Sequence, residues 1–178
     1  IQLSPKEPQF YKNLAKIYRS IDKKNEAIAA FKKSVSLNGK DPDVLNDLGN
    51  LIREQAIVKN DKNQMKKAEA FFRKAIRLNP DCAMYHANLG NVLRDIDPRK
   101  WKAARKCYMR ALELDPGLAG VTSNLGLLAE LEGDLDLAEE FYQRAGEQAP
   151  EEPESLNNYA QLLGPRKNGR GSCRGRSW

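Results

Sequence analysis

Apolar and small residues recur along the chain in a two-part pattern rather than as one continuous stripe. One series runs Leu14, Leu48, Leu89, Leu125 and Tyr159, each preceded by Asn or Asp. Gly or Ala follows each of them, as Ala15, Gly49, Gly90, Gly126 and Ala160. A second series alternates with the first: Ala27-Phe31-Ser34, Ala68-Phe72-Ala75, Ala104-Tyr108-Ala111 and Ala138-Tyr142-Ala145. The i, i+4, i+7 spacing of each triplet places its members on one helical face. A breaker closes each triplet, at Gly39, Pro80, Pro116 and Pro150. The pattern predicts pairs of antiparallel helices, the Leu series on the first of each pair and the triplet on the second, with no strand.

The period is close to 34 residues, with two insertions inside pairs: seven extra residues between Gly49 and Ala68, and two between Gly90 and Ala104. The seven are nearly two helical turns, which predicts a taller hairpin with Asn60-Asp61-Lys62-Asn63 at its tip. The expected organisation is the end of a preceding unit at 1–7, full units at 8–41, 42–82, 83–118 and 119–152, and a capping first helix at 153–163. A basic tail, 164–178, is expected to be disordered, since Gly, Ser and like charges without apolar partners do not offset chain entropy.

These positions resemble the tetratricopeptide repeat family, in which Leu-Gly on the first helix is followed by Ala, an aromatic, Ala and Pro on the second. The resemblance covers residues 1–163. It implies an all-α, right-handed superhelix (an α-solenoid) of antiparallel helix pairs. The physical reading agrees: no single unit can bury its apolar stripe alone, and stacking makes the core continuous. Small residues at Gly49, Gly90 and Gly126 would let helices within and between units approach closely.

Composition narrows function more by exclusion. The net charge is +6 over 178 residues, but five of the basic residues lie in the tail. The charge is therefore a weak pointer to nucleic acid, which would in addition require exposed aromatics for stacking. No apolar run reaches the ~18 residues of a membrane span. The three cysteines, Cys82, Cys107 and Cys173, have no CxxC or metal spacing. They are read as free thiols in a reducing compartment, hence a cytoplasmic or nuclear location. The single histidine, His86, falls at a packing position, so no Ser-His or His-metal site can be assembled. Trp101 aligns with Met65 and Leu135 and is expected in the core. Phosphate loops and zinc-protease motifs are absent. No catalytic residue, cofactor or metal is assigned, and this stretch is read as non-enzymatic. Because it opens on Ile1, it is read as a piece of a longer protein.

What remains to be explained is a polar, helix-disfavouring residue at one fixed point of each first helix: Asn13, Asp47, Asn88, Asn124 and Asn158, with Asn91 and Asn50 nearby. Asn costs roughly half a kcal/mol against Ala in a helix interior. At 100° per residue Asn88 points away from the Leu89, Gly90 and Leu93 stripe. In tetratricopeptide superhelices that face lines the concave groove. The series resembles the asparagine ladders of O-GlcNAc transferase and kinesin light chains, which implies a partner protein or peptide held in extended form by its backbone. Asp47 breaks the ladder, because a carboxylate only accepts. Specificity is expected from Lys12, Lys16, Arg19, Arg53, Arg94, Ser123 and Leu127. The chain is therefore read as a peptide-binding interaction scaffold. The alternative is a substrate-docking arm of a larger glycosyltransferase, either O-GlcNAc transferase-like or a membrane O-mannosyltransferase. RNA binding ranks below both.

Overall fold

The structure, a computed structural model, describes residues 7–151. Expectations about 153–163, Asn158 and the tail lie outside the described residues. Among the described residues there are eight α-helices and no strand. They are α1 (Pro8–Ser20), α2 (Lys24–Leu37), α3 (Pro42–Lys59), α4 (Lys62–Leu78), α5 (Ala83–Ile96), α6 (Trp101–Leu114), α7 (Ala119–Glu132) and α8 (Leu135–Gln148). A 3-10 turn, Pro98–Lys100, precedes α6. Consecutive helices pack as antiparallel pairs, α1 with α2, α3 with α4, α5 with α6 and α7 with α8.

Local sequence sets where several of these helices begin and end. Pro8 and Pro42 occupy the first helical position, where the missing N–H costs nothing. Asp41 caps α3 by accepting from the Asp43 and Val44 N–H groups, and Asp61 does the same for α4 at Asn63 and Gln64. Asn60 (φ 49) and Gly133 (φ 85) supply the left-handed residues that end α3 and α7. The inserted residues thus extend both helices of the second pair, meeting at a two-residue corner, Asn60-Asp61, rather than forming a loop.

The glycine pattern has a direct steric cause. A Cβ on Gly49 would lie 2.8 Å from the Phe72 ring, one on Gly90 2.5 Å from Tyr108, and one on Gly126 2.8 Å from Tyr142. Each glycine therefore lets an aromatic ring from the partner helix lie against the first helix's backbone. Phe31, Phe72, Tyr108 and Tyr142 are all buried. Burying such a side chain contributes roughly 1.5–3 kcal/mol each.

The chain divides into two units, Ile1–Leu114 and Asp115–Trp178. In the first, α2 packs on α3, α4 on α5, and α3 reaches α5 directly. A junction cluster of Leu45, Ala75 and Tyr85 is flanked by Val35, Phe71, Ile76 and Cys82. In the second, Ala129, Ala138 and Tyr142 form the core of the α7–α8 pair, with Leu127 and Leu137 packed against it. At the outer face of α1, Ile17 is 57% exposed, although Leu51 and Val92 are buried at the same register in α3 and α5. Trp101, expected in the core, is half-buried. Its counterpart Met65 is buried, whereas Leu135 is exposed.

Candidate functional site

The first helices of the first unit are joined by polar side chains along one face. Between α1 and α3, Lys12 Nζ lies 2.8 Å from Asp41 Oδ2, and Arg19 Nη1 lies 3.0 Å from Asp47 Oδ1. Between α3 and α5 three contacts share one offset of 42 residues. The Tyr85 hydroxyl donates to Asp43. Asn88 Nδ2 donates to Asn46 Oδ1 at 2.8 Å, and Arg53 Nε donates to Asp95 Oδ2 at 2.8 Å. Arg94 also pairs with Asp95, at 3.1 Å. A constant offset means that α3 and α5 run side by side in register, so each polar position on one faces a fixed position on the other.

Electrostatics follow from these pairings. Burial raises the Asp41 carboxyl, but the hydrogen bond and charge of Lys12 and the N–H groups of Val44 and Asp43 hold it below its ordinary value. The Lys12 ammonium is likewise opposed by burial and raised on balance by Asp41 and Asp43. Burial, then the bond to Asp43, pushes the Tyr85 hydroxyl well above its ordinary value.

Asn88 is half-buried, and its sideways bond to Asn46 orients the amide. An Asn amide has two N–H donors and a carbonyl acceptor. The bond to Asn46 uses one donor and leaves the other, and the carbonyl, for a second partner. Asn13 is exposed and its Oδ1 accepts from Gln9 of its own helix at 2.9 Å. Asp47, the acceptor-only position, is neutralised by Arg19. Asn50 is half-buried and Lys16 exposed.

Three positions, Asn91, Ser123 and Leu127, differ from a simple groove lining. Asn91 Oδ1 accepts from the Tyr108 hydroxyl at 2.8 Å, bracing α5 against α6. A buried phenol needs an acceptor, and Asn91 supplies it. In the second unit Ser123 is buried, on a helix that is apolar on most sides. Leu127 is partly buried and packs against the α7–α8 core, where an aliphatic side chain gains from leaving water. His86 is half-buried, with Nε2 2.8 Å from the Pro80 carbonyl oxygen. Asn124 is half-buried on α7.

Single-chain periodicity does not reveal the partners Asp43 and Tyr85. Their signal is the 42-residue offset, which becomes meaningful only once the helices are placed side by side. Among the described residues no group of His, Cys, Asp or Glu could hold a metal ion. Nor is any helix there long and apolar enough to cross a membrane.

Comparison with known proteins places this arrangement. Tetratricopeptide repeat profiles match residues 8–41 and 56–82, and a second such profile matches 96–153. The human Protein O-mannosyl-transferase TMTC1 is 35% identical over 129 residues, which is 70% of this chain but 14% of that protein. The chain thus spans a small part of the length of this relative. The crystal structure of YrrB, described as a TPR protein with an unusual peptide-binding site, superposes with a TM-score of 0.64 at 25% identity. That match covers 89% of this chain and 77% of YrrB. The crystal structure of MamA gives 0.70 at 21% identity, covering 86% and 84%, a likeness of fold. The repeating glycine–aromatic contacts, the helix pairs and the profile matches agree, and the chain belongs to the tetratricopeptide repeat family.

Proposed function

We propose that this chain is a protein-interaction scaffold that holds an extended polypeptide against the first-helix face through its asparagine amides. The observation that supports it is the Asn46–Asn88 pair, which fixes one rung in place and leaves it a donor and an acceptor. That combination matches the C=O and N–H of a peptide bond. Neighbouring helices pack ~8–10 Å apart and an extended chain rises ~3.3 Å per residue, so one rung per helix pair meets about every third residue. Such a grip is indifferent to ligand side chains.

The test is selection of binders from a random-peptide display library, followed by calorimetric titration. Asn88→Ala should weaken selected peptides by roughly 1 kcal/mol, the usual net worth of a neutral hydrogen bond, whatever the peptide sequence. Peptides that bind this variant like the parent chain would sink the ladder.

A second reading is favoured by the likeness to TMTC1: the scaffold is a docking arm that delivers polypeptide substrate to a larger protein O-mannosyltransferase. Glycoproteomic comparison of cells carrying the full-length parent protein, with and without Asn88→Ala, tests it. Unchanged mannosylation would reject that role.

A further inference from the structure

The inserted residues do more than heighten a hairpin. Helix α3 continues to Lys59, about one turn beyond the register position at which α1, α5 and α7 end. At 1.5 Å per residue this leaves a step of ~6 Å above the end of α5. Beneath the step lies a cavity of about 380 Å³. Ala56, Ile57 and Met65 form its apolar part, and Arg53, Lys62 and Arg94 bring cationic groups to it. This volume is at the lower end of the range for small-molecule pockets, enough for one or two side chains and far short of a folded element.

The charges in the cavity are unequal. Its two acidic groups are both engaged: Asp61 caps α4, and Asp95 accepts from Arg53 and Arg94. Arg53 uses two of its five N–H donors on Asp95, and the other three meet no acceptor among the described residues. It is nevertheless largely covered, with a side-chain exposure of 19%. Lys62 makes no ion pair among the described residues; the Asp97 carboxylate feels its charge but is held by Arg99, so the Lys62 ammonium keeps its N–H donors. A partly desolvated guanidinium with spare donors, an ammonium on the same rim and an aliphatic floor suit a carboxylate carried on a short methylene stem.

We propose that this cavity is a subsite for an acidic side chain, Glu or Asp, of the bound polypeptide. Arg53 and Lys62 hold the carboxylate, while Ile57 and Met65 cover its stem. The polypeptide nature of the occupant rests on the scaffold reading; the carboxylate subsite itself rests on the cavity and its charges. It supplies the side-chain selectivity that a backbone ladder lacks.

The experiment titrates the isotope-labelled full chain, followed by nuclear magnetic resonance, with N-acetylglutamate N-methylamide and with its glutamine counterpart. The glutamate probe should shift amide signals across residues 56–65 and the Arg53 side-chain signal. The glutamine probe should bind about tenfold more weakly, as expected for exchanging a charge-assisted bond for a neutral one. Lys62→Gln and Arg53→Gln should each reduce glutamate affinity by about the same factor. Lys62 is exposed, so its variant should fold even if loss of the Arg53–Asp95 pair disturbs α5. Absence of shifts at 56–65, equal binding of the two probes, or full glutamate affinity in Lys62→Gln would overturn the subsite. Asn88→Ala should leave probe binding unchanged, so failure of the ladder and failure of the subsite give different results.

Discussion

A methyl group added at Gly90 would stand 2.5 Å from Tyr108 Cε1, closer than real Cβ contacts allow. Tyr108 cannot withdraw freely, because it is buried and its hydroxyl is tied to Asn91. Gly90→Ala should therefore destabilise the chain by about 1–3 kcal/mol, the usual cost of overpacking, despite the better helix propensity of Ala. Around Gly120, on α7, no described residue lies within 4 Å of the Cβ position. There the same substitution should raise stability by up to about 1 kcal/mol, since only propensity acts. Thermal melts of the two variants should move in opposite directions. Asn88→Ala is intermediate: it loses the bond to Asn46 but gains propensity, so its melting temperature should change little while peptide affinity falls.

At the scale of the element, the second helix pair separates what repeat spacing shows from what caps and corners do. Its inserted residues read in the sequence as a taller hairpin with a tip at 60–63. The structure has that extension, but places Asp61 as the cap of α4 and Asn60 in the left-handed corner. Excision of 58–64 would thus remove a cap and a cavity wall as well as length. Asp61→Ala should cost about 1 kcal/mol, the usual price of a lost N-cap, measurable by urea unfolding. Asp61→Asn, which keeps an acceptor, should recover most of it. If both variants melt with the parent chain, the corner contributes nothing to stability.

The whole chain should respond to alkali through its buried phenols. Burial, the largest influence, raises the Tyr108 hydroxyl from 10.0 to about 12. The unfolded chain then loses that proton before the folded chain does. Stability from this group is complete below pH 10 and is lost as pH rises towards 12, worth about 2–3 kcal/mol at one pKa unit per 1.4 kcal/mol. Tyr85 is raised as well and adds in the same direction. Denaturant midpoints should fall steeply across that interval, and Tyr108→Phe should flatten the fall. A midpoint independent of pH between 10 and 12 would show that the phenol titrates as it does in water.

Spacing alone was enough to establish helix pairs and the small residues on the first helix, because each recurs with one period, whereas the seating of Phe72, Tyr108 and Tyr142 against those glycines emerged only from the packed helices. The lengthened second hairpin was legible for the same reason. The partners of the polar residues were not. Periodicity places Asn88, Asn91, Ser123 and Leu127 at helical angles, but it does not say which side a neighbouring helix covers. The fold assigned Asn91 to Tyr108, buried Ser123 and packed Leu127 against the core of its own pair. It also paired Arg19 with Asp47 and Arg53 with Asp95, positions 28 and 42 residues apart. Local spacing determines the elements and their apolar faces; only the stacking of α1, α3 and α5 decides which charges neutralise one another and which donors are left for a ligand.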